Sequence, residues 1–163
     1  MAAKMSDDLR PRMYADTSVF GGAFDREFAV ATTRLFELIA RGHFRLVTSV
    51  RVRDEIAEGP ERVRAFFAEV TEGAEVAEPT EGSYRLQQQY VEQGVVSERW
   101  GTGALHVAIA TVSRCPLIVS WNFRHIVSFR RIPLYNAVNV IAGYGPIAIH
   151  SPREVVESEE EDV

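Results

Sequence analysis

The stretch that most constrains the fold is residues 116 to 121, PLIVSW, a run that is apolar almost throughout. A continuous apolar run of this length is typical of a strand covered on both faces, as in a parallel sheet. The segment before it, residues 103 to 113, is apolar nearly all round and is therefore predicted to be a buried helix. A buried helix that leads into a buried strand indicates an α/β domain.

The rest of the chain alternates in the same way between predicted strands and predicted helices. Further strands are predicted at residues 13–20 (MYADTSVF, ending at a polar turn), 44–48, 74–77 and 146–149. Further helices are predicted from the cap residue Asp25 to Arg41, after the cap residue Ser49, after Pro60, at 80–93 and at 134–142. This alternation predicts a three-layer α/β/α sandwich with a mostly parallel central sheet. Ligands of such sheets bind at the carboxyl ends of strands, where the strand order reverses, so residues directly after strands are the functional candidates.

The length of 163 residues suits one domain, which we place at residues 13–155 between a flexible leader, 1–12, and an acidic, disordered tail, 156–163. Five of the last seven residues are acidic, and without them 18 acids face 18 bases, so the body of the domain is near neutral. The alternative for the tail is that it covers a basic surface. A near-neutral body argues against broad binding to nucleic-acid duplexes.

The composition also bears on location and partners. The chain has one cysteine, Cys115, no apolar run near the roughly 18 residues that span a bilayer, and no signal-like N-terminal stretch, so we expect a cytoplasmic protein without a membrane partner. Of its 18 basic residues 17 are arginine, which suits phosphate binding, although compositional bias of the source genome explains the excess equally well.

Two acids follow predicted strands. Asp16 ends the first strand, and the hydroxyls of Thr17 and Ser18 beside it could bond the acid or a substrate phosphate. The alternative for Asp16 is an ordinary turn former or helix cap. Glu55 lies on the helix after the second strand, where the alternative is a solvated charged face.

The motifs D-T-S-V-F-G-G, V-x-x-E-I, G-A-L-H-V-A-I-A and S-W-N-F-x-H-I, in this order, resemble the PIN-domain family, especially VapC-like toxins. The resemblance runs from Met13 to Val155. It implies an endoribonuclease fold in which a few acids hold Mg²⁺ or Mn²⁺. Asp16 matches the first family acid and Glu55 the second. The third position, directly before A-L-H, is Gly103 here, and the fourth, after S-W, is Asn122.

Gly103 supplies no negative charge where the resemblance implies an acid. Mg²⁺ is often held by one or two carboxylates together with phosphates, so Asp16 and Glu55 could still seat one ion with the amide oxygen of Asn122 assisting. A second ion, clamping the attacking and leaving oxygens, needs more negative charge. We therefore expect weak metal affinity and slow or absent cleavage.

Other polar and aromatic residues lie near these positions in the sequence. His106, three residues after Gly103, could contact a phosphate or bind Mn²⁺, and its alternative is a structural histidine with both nitrogens bonded. Arg124, after the S-W-N tip, could bind an RNA phosphate or be merely solvated. Trp100 and Trp121 are predicted to lie in the core or an interface rather than to stack on bases.

Two functions stay open from the sequence. The first is a metal-dependent endoribonuclease of the toxin–antitoxin type, acting on RNA. The second is a degenerate PIN module that binds RNA or a protein partner without cutting. The resemblance also implies a homodimer and a small antitoxin as partners.

Overall fold

In a computed structural model, residues 9–161 are described and residues 1–8 and 162–163 are not. The strands are β1 (Arg12–Ala15), β2 (Arg45–Ser49), β3 (Glu75–Ala77), β4 (Leu117–Val119) and β5 (Ala148–His150). The helices are α1 (Thr17–Gly22), α2 (Ala29–Ala40), α3 (Val50–Ala57), α4 (Glu61–Val70), α5 (Glu81–Glu92), α6 (Gly101–Val112), α7 (Ile132–Ile141) and α8 (Pro152–Glu161). None of these helices is long and apolar enough to cross a bilayer.

The five strands form one parallel sheet in the order β3-β2-β1-β4-β5. Strand β1 lies at the centre, with Tyr14 in register with Val47 of β2 on one side and Ile118 of β4 on the other. In chain order, β2 and β3 follow on one side of β1, and β4 and β5 then follow on the other side. The strand order therefore reverses between β1 and β4, which is where such sheets bind ligands.

Helices cover both faces of the sheet, as the apolar run of β4 predicts. Consecutive residues of β1 and β4, whose side chains alternate between faces, are fully buried: Met13, Tyr14 and Ala15, and Ile118 and Val119. Helices α5, α6 and α7 pack together, while α1 contacts α2, α3 and α4. The predicted three-layer α/β/α class is confirmed.

A cluster around Trp121 fixes the segment that follows β4. The indole stacks on Phe28, with ring centroids 4.1 Å apart, and its Nε1 donates a hydrogen bond of 2.9 Å to the Thr32 hydroxyl. Helix α1 passes so close that a Cβ on Gly22 would lie 2.6 Å from the indole Nε1. Only glycine fits there without displacing the tryptophan, so α1 and the end of β4 are held together.

Two predicted boundaries near the N-terminus are wrong. Residues 13–20 are not one strand, because the Asp16 carbonyl accepts a hydrogen bond from the Val19 N–H and turns the chain into α1 at Thr17. The next helix begins at Ala29 rather than at Asp25, since the Asp25 carboxylate accepts from the Glu27 N–H in a separate turn. The predicted cap of α3 is confirmed, since the Ser49 hydroxyl accepts from the Val52 N–H.

The acidic segment also differs from the prediction. Residues 156–161, expected in a disordered tail, belong to α8, which packs against α2; residues 162–163 and most of the predicted leader lie outside the described residues. Ser151 and Glu154 form a reciprocal capping pair around Pro152, the first residue of the helix. Val155 and Val156 are buried, so apolar packing holds a helix whose other face is acidic.

Two ion pairs also join α8 to α2 and its end, Glu160 with Arg34 and Glu159 with His43. The side chains in both pairs remain partly exposed to solvent, and exposed pairs of this kind contribute little to stability. The two buried valines therefore contribute most to the docking of α8.

We predict that Val156→Ala lowers the free energy of unfolding by about 1–2 kcal/mol, because it removes two buried methyl groups and leaves a small cavity. Urea denaturation measures the change. Glu157→Ala, at an exposed position of the same helix, should change stability by less than about 0.5 kcal/mol. Equal stability of Val156→Ala and wild type would mean that α8 is not docked in solution.

Candidate active site

A pocket of about 360 Å³ lies at the carboxyl ends of β1 and β4. Its lining includes residues from α1, α3 and α6 and from the segments before α6 and after β4: Asp16, Thr17, Ser18, Glu55, Arg99, Trp100, Thr102, Gly103, His106, Asn122 and His125. The structure thus brings Asp16, Glu55 and the Gly103 position into one pocket, although the chain separates them widely.

The carboxylate of Asp16 is held from both sides. Its Oδ1 accepts a hydrogen bond of 2.6 Å from the Ser18 hydroxyl, and its Oδ2 accepts one of 2.7 Å from the Ser120 hydroxyl. The two hydroxyls in turn accept from the N–H groups of Trp121 and Asn122, so the end of β4 fixes the acid. Burial raises the pKa of Asp16, against opposing contributions from His106 and the two hydroxyls.

Glu55 is a partly exposed carboxylate whose charge is already balanced. Its Oε1 accepts hydrogen bonds from His106 Nε2 at 2.8 Å and from Arg51 Nε at 3.0 Å. Burial acts to raise the pKa of Glu55, but the hydrogen bond and charge of His106 outweigh it, and the pKa is lowered. Glu55 is therefore ionised at neutral pH, with one oxygen engaged by two donors.

A buried chain of hydrogen bonds positions His106, which is 3% exposed. The Ser49 hydroxyl lies 2.8 Å from the Tyr14 phenol oxygen, which lies 2.7 Å from His106 Nδ1. Because an ionised Glu55 can only accept, His106 Nε2 must donate to it; in the neutral ring Nδ1 then accepts from Tyr14. Burial raises the pKa of Tyr14, so its phenol stays protonated and able to donate.

Both ring nitrogens of His106 are hydrogen-bonded within the protein. His106 therefore has the structural role that the sequence left open as the alternative to contact with a phosphate or Mn²⁺. The contact of Tyr14 with His106 and that of Ser120 with Asp16 were not predicted from the sequence. Tyr14 looked like an ordinary buried strand residue, and Ser120 like part of an apolar run. A polar residue that ends such a run, directly before W-N, is the signal that could have identified Ser120.

Position 103, where the family resemblance implies an acid, is sterically open. A Cβ on Gly103 would lie 3.4 Å from Asn122 Nδ2 and 3.7 Å from Ile126, which is ordinary contact. The Asn122 Oδ1 accepts from the His125 N–H at 2.9 Å, so the oxygen expected to assist a metal already caps a turn. The amide N–H₂ is the part of Asn122 that lies toward Gly103.

Asp16 and Glu55 are the two carboxylates of the pocket that could hold one hard cation. The described residues contain no group of three or more His, Cys, Asp and Glu side chains placed to hold a metal. Asp16 and Glu55 remain as two carboxylates with unused oxygen lone pairs, which suffices for Mg²⁺ or Mn²⁺ that also binds phosphate or water. The pocket offers no comparable ligands for a second ion.

The remaining predicted site residues have different surroundings. Ser18 is engaged with Asp16, whereas the buried Thr17 hydroxyl has no hydrogen bond of good geometry within the described residues, although it helps to lower the pKa of Glu55. Arg124 packs over the ring of Trp100. Trp100 is 38% exposed and lines the pocket, so of its two predicted places the core is excluded and an interface stays a prediction, while Trp121 is a core residue.

No protein-family model matches the chain, and no curated protein matches its sequence. Among solved structures, the chain is similar to one chain of VapBC2 from Rickettsia felis bound to a DNA fragment from their promoter. The TM-score is 0.58 at 12% sequence identity, and the match covers 86% of this chain and 98% of the other. This similarity supports the PIN-like fold and does not by itself show an activity.

We predict that the stability of Asp16→Asn relative to wild type increases as pH rises from about 4 toward neutral, and that the difference levels off above the raised pKa of Asp16. Burial raises the pKa of Asp16, so the native protein loses stability as pH rises through that value, and an amide escapes this loss. Urea unfolding across this pH range measures the difference, with Asp54→Asn on the exposed face of α3 as control. A difference that shrinks toward neutral pH would contradict the assigned burial of charge.

Proposed function

We propose that this protein is a PIN-like, toxin–antitoxin-type endoribonuclease that uses one weakly held Mg²⁺ or Mn²⁺ and cleaves RNA slowly. The observation that carries the proposal is the convergence of Asp16 and Glu55 on one pocket where the strand order reverses. Two carboxylates at such an edge attract a divalent cation, and a divalent cation attracts phosphate.

In this proposal each side chain has a defined task. Asp16 is held rigid by Ser18 and Ser120 as an oxygen ligand, and Glu55 is held by His106 and Arg51 with its second oxygen available. When bound, the cation would supply Lewis-acid polarisation of the phosphodiester. The Asn122 amide N–H₂ offers hydrogen-bond donors near Gly103, where they suit a phosphate oxygen.

The same contacts explain why the proposed cleavage is slow. The charge of Glu55 is balanced by Arg51, one of its oxygens also accepts a hydrogen bond from His106, and Gly103 adds no charge, so the pocket holds less uncompensated negative charge than a three-acid site. Weaker negative charge means weaker cation binding, and the clamp that a second ion would supply is missing.

A second candidate function is an RNA-binding or protein-binding module that does not cleave. The ion pair of Glu55 with Arg51 favours it, because a carboxylate whose charge is balanced internally has less to gain from a metal. The two candidates make opposite predictions for metal-dependent activity.

We also propose a small antitoxin protein and a second copy of this chain as partners, with the cytoplasm as the place of action. The fold similarity to a chain of VapBC2, a complex bound to DNA, supports a protein partner. The second copy rests on the family resemblance alone, and the cytoplasm on the composition of the sequence.

A cleavage assay separates the two functions. We expect wild type to degrade single-stranded RNA in Mn²⁺ and not in EDTA, and Asp16→Ala to lose at least about 90% of the rate, since it removes a carboxylate that no neighbour replaces. Equal degradation by wild type and Asp16→Ala would indicate a contaminating nuclease. No degradation by cleanly folded wild type would favour the non-cleaving module.

We predict that Gly103→Asp raises Mn²⁺ affinity by about tenfold or more and increases the cleavage rate, because it restores a carboxylate where a Cβ already fits. Calorimetric titration with Mn²⁺ measures affinity independently of activity. Gly103→Asn, of similar size and without charge, is the control. If the Asp and Asn variants bind Mn²⁺ equally, position 103 does not face the cation.

A further inference from the structure

One edge of the pocket carries a group of arginine and aromatic side chains, which we call the rim: Arg99, Trp100, Arg124 and His125. The guanidinium carbons of Arg99 and Arg124 lie 5.1 and 5.3 Å from the centroid of the Trp100 ring. The ring of His125 stacks on Trp100 at 4.7 Å with an angle of 21°. Two cations are thus packed on one exposed indole beside the acidic pocket.

The guanidiniums of Arg99 and Arg124 have no carboxylate partner among the described residues, and both side chains are exposed. Arg131 differs, because its Nε and Nη1 donate hydrogen bonds to the carbonyls of Val95 and Arg124. These bonds hold the backbone at Arg124 in place. The rim therefore carries two exposed guanidinium groups without a carboxylate partner, and the planar set of N–H donors in a guanidinium matches the geometry of a phosphate.

His125 provides a second, independent sign of a ligand. The residue is 8% exposed and lines the pocket, yet neither ring nitrogen has a hydrogen-bond partner within the described part of the chain. Buried polar atoms are normally satisfied, so an unpaired imidazole at a pocket is a candidate for contact with a bound molecule. Burial, together with the charges of Arg131 and Arg124, lowers the pKa of His125, so the ring is neutral and offers one donor and one acceptor.

We propose that the rim binds one nucleotide of single-stranded RNA, with its phosphate on Arg99 and Arg124 and its base or ribose against Trp100 and His125. Its place beside Asp16 and Glu55 makes it a substrate subsite, and this part rests on the proposed function. Exposed aromatic rings flanked by arginines suit unpaired nucleotides, whose bases are free to stack. The Arg99 and Arg124 side chains need only turn from the indole toward the phosphate.

Binding is tested without metal, so that cleavage and cation affinity play no part. A fluorescently labelled eight-nucleotide oligouridylate is titrated in EDTA, and anisotropy is recorded at several salt concentrations. Arg99→Gln/Arg124→Gln is compared with Arg26→Gln/Arg64→Gln, which removes two exposed positive charges from side chains that do not line the pocket. The rim double variant should bind at least about tenfold more weakly, and its salt slope should fall by about 1.4, or ~0.7 for each lost phosphate contact.

Two further variants test the rings. Trp100→Leu and His125→Phe should each weaken binding several-fold, and His125→Phe should keep the thermal unfolding temperature of wild type, because the nitrogens that it removes have no partner in the free protein. Full-strength binding by a stably folded His125→Phe would overturn the role given to His125.

The outcomes distinguish this inference from the proposed function. Absent binding by wild type, equal weakening in both double variants, or tighter binding of duplex RNA or of single-stranded DNA would overturn the rim as an RNA subsite. Metal-dependent cleavage that needs Asp16 could still be present in that case. Conversely, binding that depends on the rim, with no cleavage in Mn²⁺, would uphold the subsite and refute the nuclease.

Discussion

The carboxylate of Asp16 is buried at the point where the strand order of the sheet reverses, and the surrounding structure is organised around it. Parallel pairing of β1 with β4 brings Ser120 beside the acid, and the Ser18 and Ser120 hydroxyls bond both of its oxygens while they accept the N–H groups of the next turn. That turn ends with Asn122 capping the His125 N–H. A buried charge of this kind opposes stability, and the hydrogen bonds of the two serine hydroxyls offset part of that cost.

Glu55 depends on a different kind of support. Helix α3 starts at Ser49, whose hydroxyl both caps the helix and contacts Tyr14, so the hydrogen bonds that position His106 also fix the start of the helix that carries Glu55. The pKa values of the two acids of the pocket are thereby shifted in opposite directions. Burial raises the pKa of Asp16, whereas His106 lowers that of Glu55. In the proposed function, Asp16 and Glu55 hold one cation, Gly103 adds no charge, and the basic rim binds the phosphate.

Much of the fold follows from local patterns in the sequence, because the apolar run at β4 and the cap at Ser49 each have one physical interpretation. The meeting of Asp16 and Glu55 also follows, since both come after strands that lie next to each other in the sheet. The pairing of Glu55 with His106 could not be predicted in the same way, because it depends on how α3 and α6 pack across the sheet edge. The exposure of Trp100 could not be predicted for a similar reason, because an aromatic residue before an apolar helix can be either buried or exposed. The error at α8 was avoidable, since the capping pattern S-P-R-E precedes two adjacent valines.

The position of a bound cation tests most directly whether Asp16 and Glu55 together hold one metal ion. Crystals of the wild-type protein soaked in millimolar Mn²⁺ would show it by anomalous scattering. We expect one peak, within coordination distance of a carboxylate oxygen of both Asp16 and Glu55, and no second peak in the pocket. An empty pocket at saturating Mn²⁺, or a peak bound by other side chains, would contradict this expectation.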